Sequence, residues 1–147
     1  MSLKNRTLSN LLLGFVILTS GVTANTTWPG LRGPSYDGAV HDARLFEGDE
    51  GGLAIGWIRD IGAGYSVVSV DGRRLVASFQ AGSEDVVAAF DLEHGDELWR
   101  LHISEPNALQ GASQEGPIAT PALWEGRGVV LAPRGARVAF EAGCGGV

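Results

Sequence analysis

The sequence predicts an all-β chain in which short antiparallel strands follow one another in a repeating unit of about 50 residues. Three observations predict it. The apolar runs are short and rich in Val, Leu, Ile and aromatic residues. Gly, Asp or Pro turns close each of them. No convincing run of ten or more residues after position 30 follows the 3.6-residue apolar period of an amphipathic helix. Glycine supplies 22 of the 147 residues, roughly twice its usual share, which suits many tight turns rather than long helices.

The first segment reads as an address. Residues 1–10 carry Lys4 and Arg6 and no acid, residues 11–22 carry no charge, and Val22-Thr23-Ala24 forms a small-x-small exit. These are the three parts of a secretory signal peptide. The apolar run of 12 residues is short of the ~20 a spanning helix needs. The expectation is therefore a signal peptide over 1–24, an N-terminal extension over 25–52 and a repeat region over 53–147. The product would be periplasmic or extracellular, with no membrane span after cleavage.

Charge narrows the partners. The chain has 17 acidic and 11 basic residues and a net charge of −6. After Ala24 only nine scattered Arg remain. Nucleic-acid binding needs a clustered basic surface, so it is not expected. Cys144 is the one cysteine, which excludes an internal disulfide and a two-cysteine zinc site. Its neighbours Gly143, Gly145 and Gly146 offer nothing that would lower a thiol pKa.

The strand-like runs are 53–61, 65–70, 74–79, 85–92, 97–103, 120–124, 128–132 and 136–141. Turns fall at Asp71-Gly72, Gly82-Ser83, His94-Gly95-Asp96 and Glu125-Gly126-Arg127-Gly128. Residues 69–78 align with 123–132 at an offset of 54, and Ala89-Phe90-Asp91 with Ala139-Phe140-Glu141 at an offset of 50. Gly95 falls on Gly145. GWIRDI (56–61) aligns with LWRLHI (98–103) at an offset of 42. Spacings of 40–55 residues suit one four-stranded blade of a β-propeller.

The segment AFDLEHGDELW (89–99) fits A-x-D-x-x-x-G-x-x-x-W. It resembles the blade signature of pyrroloquinoline-quinone-like (PQQ-like) β-propeller repeats, with His94 where the family commonly has Thr. WPGLRGPSYDG (28–38) resembles the Trp-Pro-x-x-Arg-Gly-Pro opening of many secreted bacterial members. Residues 61–78 resemble the entry into a first full blade. The motif residues Ala89, Asp91, Gly95, Trp99, Ala139, Glu141 and Gly145 have structural roles on their own chemistry. Asp91 accepts backbone N–H groups two or three residues on, Gly95 supplies a positive φ, and Trp99 buries a large face while its N–H needs a partner.

No catalytic, cofactor-binding or metal-binding residue emerges. The acidic run Asp91, Glu93, Asp96 and Glu97 misses the EF-hand spacing, because Gly95 falls at position 5. His41, His94 and His102 are too far apart for a local metal pair. Ser66 lacks the second Gly of a nucleophile elbow, and Gly62-Ala63-Gly64 precedes a strand and lacks the third Gly of a dinucleotide loop. The resemblance implies that PQQ and calcium belong only to a complete dehydrogenase ring. The ligands and adjacent cysteines of such a ring do not map onto this chain, so no cofactor is expected for it alone.

The repeat also predicts incompleteness: one whole blade and parts of two others, with open edges prone to self-association. Three functional expectations follow. One is a truncated, exported, non-catalytic binding or scaffold module with an unknown protein partner. The second is an N-terminal fragment of a PQQ-dependent dehydrogenase. The third is a small β-protein that completes its ring by oligomerising.

Overall fold

The computed structural model describes residues 27–40, 54–105, 116–132 and 135–147. The expected signal peptide lies outside these residues, as do His41 and positions 41–53 of the extension. Among the described residues there is no helix long and apolar enough to cross a membrane.

Among the described residues, eight strands form two antiparallel sheets. The first sheet holds β1 (Thr27–Trp28), β2 (Ser69–Asp71), β3 (Arg74–Ala81), β4 (Glu84–Asp91) and β5 (Glu97–Ser104), in that order. The second holds β6 (Ala122–Trp124), β7 (Arg127–Leu131) and β8 (Arg137–Glu141). Neither sheet closes on itself, and within each, sequence neighbours are spatial neighbours; from β2 to β5 and from β6 to β8 turns of two to five residues require it. Thr27–Trp28 belongs to the first sheet, on the inner edge of β2 (Thr27 opposite Asp71).

The turns explain the local geometry. Asp71 pairs with Arg74 across Gly72 and Arg73, with Gly72 at φ 60°. Trp124 pairs with Arg127 across Glu125 and Gly126, which stand at φ 47° and 77°. These pairings put Asp71 in the place of Trp124, an offset of 53 rather than the 54 suggested by matching Asp71-Gly72 to Glu125-Gly126. Leu92 N–H bonds Arg73 O at 2.8 Å and Ala142 N–H bonds Gly126 O at 2.8 Å, which fixes the same offset. The letters Asp/Glu-Gly look alike, but the positive φ sits one residue apart.

The first sheet is a middle layer. β4 is buried from Asp85 to Phe90, because alternate side chains enter different cores. Val76, Val87, Ala89 and Ile103 point toward the second sheet and meet Leu123, Val130 and Phe140 there. Ala77, Phe79, Val86, Ala88 and Phe90 point the other way. Their cover is residues 57–61: Ile61 packs on this core and the Arg59 guanidinium lies 5.6 Å from the Phe90 ring centre. A sheet covered on both faces reads as a continuous apolar run, not an alternating one, and EDVVAAFD has that pattern.

Two hydroxyls tie the layers at their inner edges. Ser69 Oγ donates to Pro121 O, and Ser78 Oγ donates to Ala119 O at 2.7 Å. Both serines are buried, and each hydroxyl is satisfied, as burial demands.

Asp85, at the start of β4, is fully buried. Its Oδ2 accepts the Ser104 hydroxyl at 3.3 Å, while Oδ1 has no partner among the described residues. Burial raises its pKa, against the opposing pull of the Ser104 hydrogen bond and the His102 charge. A raised folded pKa favours the neutral acid, so Asp85 costs stability once pH climbs above the unfolded value of about 3.9. Asp85→Asn is expected to raise unfolding stability by about 1 kcal/mol at pH 7 and to change little at pH 3. Urea melts at the two pH values check it.

Candidate functional site

Two indole contacts hold the layers together, and they match atom for atom. Trp99 starts from β5 of the first sheet. Its Nε1–H donates to Ala142 O at 3.0 Å, and its ring lies against Gly145 of the second. Trp57 lies between β1 and β2 in the chain. Its Nε1–H donates to Leu92 O at 3.0 Å, and its ring lies against Gly95. A Cβ built on Gly95 would come within 2.7 Å of the Trp57 ring, and one on Gly145 within 2.8 Å of the Trp99 ring. Both glycines also have positive φ, 74° and 71°. Turn conformation and ring contact thus impose glycine twice over.

The receiving turns are built alike. Gly95 N–H bonds Asp91 O and Gly145 N–H bonds Glu141 O, both at 2.8 Å. Asp91 N–H bonds Asp96 O at 2.8 Å, and Glu141 N–H bonds Gly146 O at 2.7 Å. The side chains at the two turns differ. Asp91 Oδ1 accepts the N–H groups of Glu93 and His94 at 3.0 and 2.9 Å, and meets His94 Nδ1 at 2.9 Å. Glu141 is one methylene longer and instead pairs with Arg127 Nε at 3.4 Å. Ala89 is buried opposite Trp99 on β4, where a larger residue would displace the indole. Ala139 lies on the exposed outer face of β8.

Of the seven motif residues, Ala89, Asp91, Gly95, Trp99, Glu141 and Gly145 lie at the two contacts or the turns that receive them, and Ala139 does not. Sequence reading misses two supports. Arg59 donates from Nη1 to Gly95 O at 2.9 Å, and the Ser69 and Ser78 hydroxyls bridge the sheets. A serine in a strand or an arginine beside a tryptophan carries no distinctive signal. The alignment of GWIRDI with LWRLHI is the one signal that could point to Trp57.

A second feature is a groove of about 730 Å³ between the 27–36 segment and β6. Leu123 N–H bonds Pro29 O at 2.8 Å, pinning the segment there. Trp28 is held by close contact with Gly33 at φ 72°. Leu31, Arg32, Tyr36, Trp124 and Glu125 line the groove. Tyr36 is 77% exposed and Trp124 72%.

No group of three or more His, Cys, Asp or Glu side chains among the described residues is arranged to hold a metal ion. Cys144 is exposed and unpaired. Compared with known proteins, the chain matches no family model, and no curated protein is significantly similar to it.

Two outcomes test the contact. Trp99→Ala removes a large inter-sheet ring and strands the Ala142 carbonyl. It is expected to cost about 3–5 kcal/mol, seen as a lower urea midpoint. The His94–Asp91 pair gives a pH signature. The His94 hydrogen bond, with help from the turn N–H groups, lowers the Asp91 pKa, and that same carboxylate raises the His94 pKa. The Asp91 contribution is present above its unfolded value and lost as pH falls through the folded one. That of His94 is complete below its unfolded value and lost as pH rises through the folded one. The thermal midpoint difference between wild type and Asp91→Ala is therefore expected to peak between about pH 4 and 6.5.

Proposed function

We propose that this chain is an exported β-propeller repeat protein of the PQQ-like kind, with a non-catalytic binding or scaffold role. The observation that carries the reading is the repeated indole contact. Trp57 and Trp99 each donate to the carbonyl that follows the motif acid and each cover the motif glycine of the next layer. That is the geometry the A-x-D-x-x-x-G-x-x-x-W spacing would serve in successive blades. The signature is met at Ala89, Asp91, Gly95 and Trp99, and the opening Trp28-Pro29 segment belongs to the same resemblance.

A binding role, rather than catalysis, is favoured by what the described residues offer. They present an aromatic-lined groove of about 730 Å³, within the size range of ligand sites. The basic start and apolar centre of residues 1–24 support export.

The test is direct. The purified protein is dialysed against PQQ with calcium and assayed by absorbance and by dye reduction with alcohols and aldehydes. The expected result is no retained quinone and no dye reduction. Stoichiometric retention with dye reduction would replace this reading with the dehydrogenase one. The intact mass of the protein recovered outside the cytoplasm is expected to begin at Asn25.

A further inference from the structure

The open side of the second sheet and the uncovered side of residues 54–61 are complementary parts of one structure. In the first sheet, β4 carries β5 on its outer edge, with Ala89 opposite Trp99, Ala88 opposite Arg100 and Val87 opposite Leu101. In the second sheet, β8 occupies the place of β4. The N–H of Ala142 turns inward to Gly126, so by strand alternation the backbone groups of Arg137, Ala139 and Glu141 turn outward. Those of Glu141 are taken by Gly145 and Gly146. Those of Ala139 and Arg137 have no strand beside them among the described residues.

Residues 54–61 have the opposite deficiency. They sit on the first sheet as β5 sits on the second, with the same indole contact at offset 42 and Ile61 in the core where Ile103 is in the other. From Trp57 to Ala63, which bridges to Gln80, they run the length of β3 in about as many residues, so the backbone is extended. Yet no described strand pairs with 54–61, and Ile58 is 83% exposed.

The faces match as well. The outward face of the second sheet carries Trp124, Val129, Leu131 and Ala139. The register places Val129 and Ala139 at the positions of Val76 and Ala89, the residues with which the first sheet buries the second. Leu131 stands where the first sheet has Ser78, which makes this open face the more apolar of the two. Trp124 and Leu131 are 72% and 54% exposed.

We propose that copies of this chain associate head to tail through these surfaces. Residues 56–59 of one copy become the fourth strand of the other's second sheet, with Trp57 opposite Ala139, Ile58 opposite Val138 and Arg59 opposite Arg137. The outward face of that sheet then packs on the first sheet of the incoming copy, repeating the contact already made within each chain. Each copy supplies two layers, so a closed ring of four to eight layers holds two to four copies. The association rests on sheet register and exposure; the closed ring and its copy number rest on the propeller reading above, and no bound ligand is required.

Native mass spectrometry and light scattering on the purified protein test it, with circular dichroism to follow the strands. The expected result is a discrete oligomer of two to four copies. Leu131→Glu, which changes an exposed side chain and leaves the ladder intact, is expected to weaken association at least tenfold while the strand signal persists. Arg137→Glu places an acid beside Arg59 of the next copy in exchange for a like charge, and is expected to tighten association. A folded monomer at about 100 µM overturns the proposal and leaves the open face to another stretch of polypeptide. An oligomer unaffected by Leu131→Glu, or weakened by Arg137→Glu, overturns it too, because the copies would then meet elsewhere.

Discussion

A half-buried indole has to solve two problems at once. Its N–H needs an acceptor, because an unmet donor away from water costs about 1–3 kcal/mol, and its ring needs a flat neighbour without a side chain. A turn that offers a free carbonyl and a glycine at positive φ answers both. Ala142 and Gly145 do so for Trp99, as Leu92 and Gly95 do for Trp57. The remaining inter-layer packing is arranged around these points. Phe140 tilts against Trp99 with ring centres 5.4 Å apart, Ala89 leaves room beneath the ring, and the serine hydroxyls secure the opposite, inner edges. The layers are joined at two places, by an aromatic contact at the outer strand and by hydroxyl–carbonyl bonds at the inner one.

This arrangement accounts for the unusual burial of the first sheet. A two-layer sandwich would leave one side of β3 and β4 wet and would show alternating polarity. Here the alternate side chains enter separate cores, so Val86 and Val87 are neighbours in sequence and strangers in space. Asp85, at the edge of this run, is the exception that burial penalises. Charge on the outer strands is handled locally: Arg100 forks onto Glu97 through Nε and Nη2, at 3.0 and 2.7 Å, while lying 5.5 Å from the Phe79 ring centre. An exposed cation thereby caps an aromatic core it does not enter.

The all-β character, the hairpin turns and the repeat were legible because each has a strong local cause. Gly72, Gly82 and Gly95 stand at positive φ, and a residue that must be glycine for conformational reasons announces itself. The run 84–91 was legible as a strand for its Val content, but its double-sided burial depends on what covers it. The one-residue difference in the β2–β3 and β6–β7 turns was not legible. Glu125 takes a positive φ that a side chain rarely adopts, so the letters match where the backbone does not. Residues 53–61 read as a strand from composition, yet 54–61 have no ladder among the described residues. A pattern reports that a segment can be a strand and is silent on whether a partner lies beside it. The groove beside Trp124 was illegible because it joins residues from positions 27–36 and 120–129, which no local pattern connects.

The indole contacts also have a direction in time. Each tryptophan is made before the turn that receives it: Leu92 follows Trp57 by 35 residues and Ala142 follows Trp99 by 43. At a synthesis rate of roughly 5–20 residues per second, each ring waits several seconds for its acceptor to emerge. During that interval the newest layer always presents an unfilled aromatic hook at its growing end. Vectorial assembly is thus written into the chain, since every completed layer is stabilised by the one that comes after it.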